Sequence, residues 1–278
     1  MKGWGASQPP QALLGGVKQP CQAQEMKLLA LILLLGALGG RQALATAAPS
    51  PSAKPFKVEE ATDFYTFGFA WPAEASAVPQ LVKRFRTQMA DAKLELEASA
   101  SADRKEREAA GYDFLNYDLQ YAYETAGQST RLLSLGSSVY SFTGGAHGSN
   151  GSGALLWDRQ LGREIKIADL LKRGASWTAA IRQPFCVLLD RERQERRGEP
   201  TARDQMFGNC PEYRELTVLL QDDDRNSRFD HVLVTAVQYV AGPYAEGPYE
   251  ISLPITATMI ERIKPEYRSS FEARRGAR

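Results

Sequence analysis

The sequence predicts an α+β fold in which antiparallel sheets pack against a few helices, arranged as two adjoining subdomains. Aromatic and branched residues alternate with a period of two over several segments, which is typical of half-buried strands. Short turns join most of these segments, and no helix follows each strand, which argues against a doubly wound parallel sheet. The predicted order is a strand, a long helix, four strands, two helices, three strands and a closing helix.

The N-terminal segment carries the pattern of a secretory signal. Lys27 precedes the apolar run Leu28 to Leu38, and small residues suited to cleavage follow at Ala43-Leu44-Ala45 or Ala45-Thr46-Ala47. The run is shorter than the roughly 20 residues that a membrane-spanning helix needs, so an uncleaved anchor is the weaker alternative. We therefore predict an upstream extension outside the translated protein at 1–25, a signal peptide at 26–45, a periplasmic or secreted location, and no permanent membrane span.

Charge and cysteine content limit the possible functions. Lys and Arg total 34 against 33 Asp and Glu, so no electrostatic argument favours nucleic acid as a partner. The predicted mature chain holds two cysteines, Cys186 and Cys210. In an oxidising compartment they favour a disulfide worth about 3 kcal/mol, with two free buried thiols as the alternative.

The first half of the mature chain alternates between tether, strand and helix. Residues 46–57 are rich in Ala, Pro and Ser and predict a disordered tether. Phe64 to Trp71 predicts the first strand. An apolar stripe from Leu81 to Leu96 predicts a long helix, whereas Ser99 to Glu108 has no stripe and indicates a solvated or frayed extension.

The second half follows the same rules. Period-two patterns predict two hairpins, and helical spacing predicts two helices, of which the second runs into a charged, solvated segment at Asp190 to Glu199. Three strands and a helix from Met259 to Lys264 close the chain. Glycine is concentrated from Phe142 to Gly153, which favours a domain boundary there. We predict one domain at 58–145, a second at 146–265, and a basic tail at 266–278.

Two glycine-containing segments resemble a known family. These are Thr143-Gly144-Gly145-Ala146-His147-Gly148 with the following Trp157 to Leu171, and the tyrosine-rich Tyr239 to Pro254. They are similar to the adjoining DUF4163 and DUF3298 domains of lysozyme-sensing anti-sigma factors of the RsiV type and of the region preceding the catalytic domain in PdaC-type peptidoglycan deacetylases. The resemblance implies lysozyme or peptidoglycan as a partner.

Both segments also suit a recognition role on physical grounds. Glycine pairs allow a sharp reversal that presents His147, and proline and glycine stiffen the loop that displays Tyr244. Rigid tyrosine rings provide contact area at low entropic cost. The predicted binding residues are Gly144, Gly145, His147, Tyr239, Pro243, Tyr244 and Glu246.

The sequence gives weaker support to an enzyme. Ser149 follows His147 without a nucleophile elbow. A His/His/Asp metal site would need both histidines of the chain, His147 and His231, and His231 lies in a predicted strand. Asp222 to Asp230 imitates a calcium loop, but Ser227 and Leu233 replace its glycine and glutamate. We therefore predict a non-catalytic binding protein of the cell envelope without metal or cofactor; the alternatives are a wall-glycan hydrolase or deacetylase-related enzyme, or a structural envelope protein.

Overall fold

The computed structural model of the protein describes residues 53–200, 202–203 and 205–274. The predicted upstream extension and signal peptide, and all but the last residues of the predicted tether, lie outside this range. Among the described residues, no helix combines the length and the apolar content that crossing a bilayer requires.

The first half of the chain builds a six-stranded sheet whose strands lie in chain order. All neighbouring pairs are antiparallel except β2 and β3, which are parallel. The strands are β1 Phe56–Ala61, β2 Tyr65–Trp71, β3 Tyr117–Gln128, β4 Leu132–Phe142, β5 Ser149–Asp158 and β6 Arg163–Ile165.

The parallel pair follows from the connection between its strands. The short helix α1 (Ala73–Ser76) and the long helix α2 (Pro79–Ala109) return the chain across the sheet, so β3 starts at the same end as β2. A parallel pair needs such a crossover, whereas the hairpins elsewhere give antiparallel pairs. Helix α2 continues through the segment expected to fray, because Leu96 and Ala100 are buried in its second half.

The second half adds a three-stranded antiparallel sheet and two helices. Its strands are β7 Thr217–Gln221, β8 His231–Ala236 and β9 Tyr249–Pro254. Helix α3 spans Thr178–Arg197 and α4 spans Ala257–Glu261, with short 3₁₀ turns at Ile167–Leu170, Tyr213–Glu215, Tyr244–Glu246 and Pro265–Ser270. The α+β class predicted from the sequence is confirmed.

The buried apolar residues form two cores on opposite faces of the six-stranded sheet. One core packs α2, through Leu81 and Phe85, against Phe67 and Phe69 of β2. In the other core, α3 and the three-stranded sheet pack against side chains of β4 and β5 that point to the opposite face of the large sheet, such as Leu132 and Leu156. The three-stranded sheet therefore covers only part of the second face of the large sheet.

The charged run expected to be solvated and part of the predicted basic tail both belong to the folded structure. Helix α3 continues through the charged run to Arg197 and stops where Gly198 takes a left-handed conformation. After α4, Tyr267 and Phe271 are buried in the second core within the stretch expected to be a basic tail. Cys186 and Cys210 form the expected disulfide, which joins α3 to the segment before β7 with their Cα atoms 5.5 Å apart.

Candidate functional site

Residues from the two glycine-containing segments meet at one exposed point of the surface. The ring of His147 stacks on the ring of Tyr244, with centroids 3.8 Å apart and planes 21° apart. The ring of Tyr239 lies 6.1 Å from that of Tyr244. We call His147, Tyr239 and Tyr244 the aromatic cluster; His147 lies on residues 143–148, the histidine loop, and the two tyrosines on residues 239–248, the tyrosine loop.

Hydrogen bonds set the orientation of the imidazole of His147. Its Nδ1 lies 2.8 Å from the carbonyl oxygen of Gly148, which can only accept, so Nδ1 carries the proton in neutral His147. Nε2 then accepts from the Tyr239 hydroxyl at 3.2 Å. The hydroxyl of Tyr239 thus connects the two loops, and both nitrogens of His147 have a protein partner.

Tyr239 has an unusual backbone conformation. Its φ is 67°, in the left-handed region that residues other than glycine rarely adopt, and the residue is 57% exposed. The backbone N–H of Tyr239 donates to the carbonyl of Gly242, which closes a tight turn. The loop therefore presents an exposed aromatic ring on a strained backbone, and backbone strain of this kind is common in functional loops.

Two arginines of α3 donate hydrogen bonds to backbone carbonyls of the tyrosine loop. Arg193 is fully buried, and its guanidinium donates to the carbonyl oxygens of Ala241 at 2.9 Å and Asn209 at 3.1 Å. Arg196 donates to the carbonyls of Glu246 and Pro248 at 2.6 and 2.9 Å. Because these carbonyls lie in irregular backbone, they need side-chain donors in place of strand or helix partners.

Glu246 belongs to the same support and not to the exposed cluster. Arg197 donates to both of its carboxylate oxygens, at 2.7 and 2.8 Å, and the Tyr249 hydroxyl donates to one of them. The bonds from Arg197 hold the pKa of Glu246 below its usual value, although partial burial acts in the opposite direction. Gly242 is required here because a Cβ would collide with the Glu246 carboxylate and the Tyr249 ring.

The remaining predicted site residues have simpler positions. Gly144 has a φ of 79°, which explains the reversal of the histidine loop, whereas Gly145 has no positive φ and is exposed. Pro243 is exposed and precedes the 3₁₀ turn that carries Tyr244. The structure therefore brings together His147, Tyr239 and Tyr244, while their role in binding stays a prediction.

Within the described ranges, one group of acidic and imidazole side chains is close enough to share a metal ion. Nδ1 of His231 lies 3.0 Å from Asp230 and 3.2 Å from Asp223. Arg274 already pairs with Asp230 at 2.9 Å, so a positive charge is in place beside the buried carboxylate. We assign no ion to this group, and His147 is not part of it.

Comparison with known proteins gives a partial assignment. A family model described as deacetylase PdaC matches residues 58–150. This match covers about a third of the chain, from β1 to the start of β5, and includes His147 but neither tyrosine of the cluster. The expected resemblance to PdaC-type proteins is confirmed for this stretch, and the one to lysozyme-sensing anti-sigma factors stays a prediction. No curated protein matches the chain.

Two solved structures are similar to the described fold. One is a DUF3298 family member from Bacteroides fragilis, with 19% identity and a TM-score of 0.48, covering 78% of this chain and 95% of its own. The other is a DUF3298 family protein from Pseudomonas aeruginosa PAO1, with 17% identity and a TM-score of 0.48, covering 80% of this chain and 98% of its own.

Sequence reasoning missed the arginines that support the loop. Arg193, Arg196 and Arg197 lie in a segment whose charge on all sides suggested solvation. Their spacing of three and four residues places them along one side of α3, which was the available signal. That signal alone cannot distinguish a solvated face from one that binds backbone carbonyls.

Proposed function

We propose that the protein is an exported, non-catalytic binding protein of the cell envelope, and that the aromatic cluster recognises either a peptidoglycan component or a wall-cleaving enzyme such as lysozyme. The observation that carries the proposal is the meeting of His147, Tyr239 and Tyr244 from two distant parts of the chain. Three exposed or half-exposed rings on well-supported backbone present a preformed contact surface.

The family match supports an envelope role for part of the chain. The matched description is of a deacetylase, and the signal pattern at 26–45 directs the protein to the compartment where wall components are found. The disulfide between Cys186 and Cys210 is consistent with an oxidising compartment.

A binding experiment tests this function with matched variants. The purified protein is passed over immobilised lysozyme and, separately, sedimented with insoluble peptidoglycan. We expect retention by at least one of them, and a loss of about tenfold or more in affinity for Tyr244→Ala, since that change removes a ring of the cluster. Tyr112→Ala is the control, because Tyr112 is a 69% exposed tyrosine outside both loops. Absence of retention on both targets at micromolar concentration, or equal loss in the control, would refute the proposal.

The family description also favours a second candidate, an enzyme related to deacetylases. In it, His147 would act as a general base on an acetylated wall glycan. Its Nε2 already accepts from Tyr239, so the proton-accepting nitrogen would have to exchange that partner for a substrate. Acetate release from peptidoglycan, measured for the protein and for His147→Ala, decides the matter: release that disappears in the variant would establish the enzyme.

A further inference from the structure

An open groove runs along the part of the six-stranded sheet that the three-stranded sheet leaves uncovered. Its volume is about 520 Å³. Successive strand residues point to opposite faces, and the side chains of Phe67 and Phe69 face α2. Gly68 and Ala70, which alternate with these phenylalanines on β2, and Ala122 on the neighbouring β3 therefore face the other way. They form the floor of the groove.

The lining of the groove combines apolar surface with neutral polar groups and a few charged ones. Amide and hydroxyl groups come from Gln120, Ser138, Tyr140, Asn150 and Gln238. Its charged members are Lys57, Glu59 and Glu250, of which Lys57 and Glu59 pair with each other at 2.6 Å. Such a lining offers hydrogen bonds in many directions and little attraction for an ion.

One wall group lacks a hydrogen-bond partner. The Oε1 atom of Gln238 is buried and has no partner within the described part of the chain. An unpaired buried acceptor destabilises the protein, so a donor that reaches it is favoured. Gln238 lies in the wall of the groove.

The groove adjoins the aromatic cluster. Gln238 precedes Tyr239 in the chain, and Pro248 of the tyrosine loop is part of the lining. On the other side, the ring of Tyr140 lies so close to Gly148 that a Cβ there would collide with it, and Gly148 follows His147 directly. A ligand that contacts the cluster can therefore continue into the groove.

We propose that the groove is a subsite for a short, uncharged carbohydrate chain whose neighbouring sugar contacts the aromatic cluster. The proposal rests on the proposed function and names glycan as the ligand class. Sugars present C–H groups that pack on the negative faces of aromatic rings, and hydroxyls that pair with amides and other hydroxyls. The floor of the groove is the face of the paired strands β2 to β5, whose backbone groups already bond to each other, so a ligand lying on it is recognised mainly by side chains.

The test measures how binding depends on ligand length. Calorimetric titration of the purified protein with β-1,4-linked N-acetylglucosamine oligomers of two and six units should show tighter binding of the hexamer. We expect Asn150→Ala and Gln238→Ala to weaken hexamer binding about tenfold and to leave dimer binding unchanged, because only the longer chain reaches the groove. Asn116→Ala, an exposed asparagine outside the groove, serves as the matched control. Melting temperatures of all variants show whether each one is folded.

The outcomes separate this inference from the proposed function. If Tyr244→Ala abolishes binding of both oligomers but the groove variants bind the hexamer normally, the groove subsite is wrong and the cluster stands. Retention of lysozyme without binding of either oligomer overturns the glycan assignment, as does preferential binding of sugar-free wall peptide. Failure to bind any of these ligands overturns both proposals.

Discussion

At the scale of single residues, the least expected feature is the left-handed conformation of Tyr239. A side chain costs roughly 1 to 2 kcal/mol in this region, and glycine costs almost nothing. The chain keeps a tyrosine at this position, with its hydroxyl on His147 and its ring exposed. A residue that costs stability here but places its ring and hydroxyl at the cluster is compatible with selection for binding and not for stability.

Backbone strain at Tyr239 predicts that glycine is more stabilising than alanine at this position, the reverse of the usual order. Tyr239→Gly should be more stable than Tyr239→Ala by about 1 kcal/mol, because alanine keeps the backbone strain that glycine relieves. Urea denaturation of both variants measures the difference. At Tyr112, which does not have a positive φ, glycine should be no more stable than alanine. Equal stabilities at position 239 would show that the conformation carries no strain.

At the scale of elements, α3 shows where sequence patterns stop being informative. The apolar stripe of α3 was readable because its burial follows from hydrophobic spacing. The burial of Arg193 was not readable, since it depends on irregular backbone of the tyrosine loop that folds against the helix from 48 residues away. Hydrophobic periodicity describes a residue's own element, whereas a buried arginine depends on an acceptor elsewhere in the fold.

The same distinction applies to the sheets. The number and order of strands β2 to β9 agree with the prediction, because alternation and turn residues are local signals. The strand β1 and the parallel pairing of β2 with β3 were not predicted, since strand order depends on the crossover and on contacts distant in sequence. The family resemblance and the glycine pattern singled out each loop, but the meeting of the two loops, including the contact between His147 and Tyr244, required the structure.

The role of α3 as a support for the loop predicts the effect of one substitution. Arg193→Met should lower the free energy of unfolding by about 3 kcal/mol, because the carbonyls of Ala241 and Asn209 lose their donor inside the protein. Arg191→Met on the same helix is the matched control, since Arg191 is exposed, and it should change stability by less than about 0.5 kcal/mol. Similar effects of the two substitutions in chemical denaturation would contradict the support role.

At the scale of the whole molecule, Asp158 connects segments that are far apart in the chain. Its fully buried carboxylate accepts from the Arg131 guanidinium at 2.9 Å, from the Tyr267 hydroxyl at 3.0 Å, and from the backbone N–H groups of Gln160 and Leu161. It thereby joins the β3–β4 turn, the β5–β6 turn and the C-terminal 3₁₀ turn. Arg131 also lies over the ring of Tyr267, 3.9 Å from its centroid.

These bonds give the stability of the protein a defined pH dependence. Burial alone would raise the pKa of Asp158, but the bonds from Arg131, Leu161, Tyr267 and Gln160 outweigh it and hold the pKa below its usual value. A group with a lowered pKa in the folded state stabilises the fold above its unfolded pKa, about 3.9, and this contribution is lost as pH falls through the folded pKa. Asp158 therefore contributes fully at neutral pH and progressively less below about pH 4.

The Asp158→Asn variant tests this link between one carboxylate and the whole fold. At pH 7 the variant should be less stable by about 3 kcal/mol, because Arg131 stays partly buried without its counter-charge. The difference in stability from the unsubstituted protein should narrow as pH falls below about 4, because the unfolded carboxylate takes up a proton there first and the native carboxylate does so only at lower pH. Asp113→Asn, at an exposed position, should show no such convergence. Denaturation curves at pH 7, 5 and 3 measure both effects, and a gap that stays constant with pH would mean that the charge of Asp158 does not stabilise the junction of these three turns.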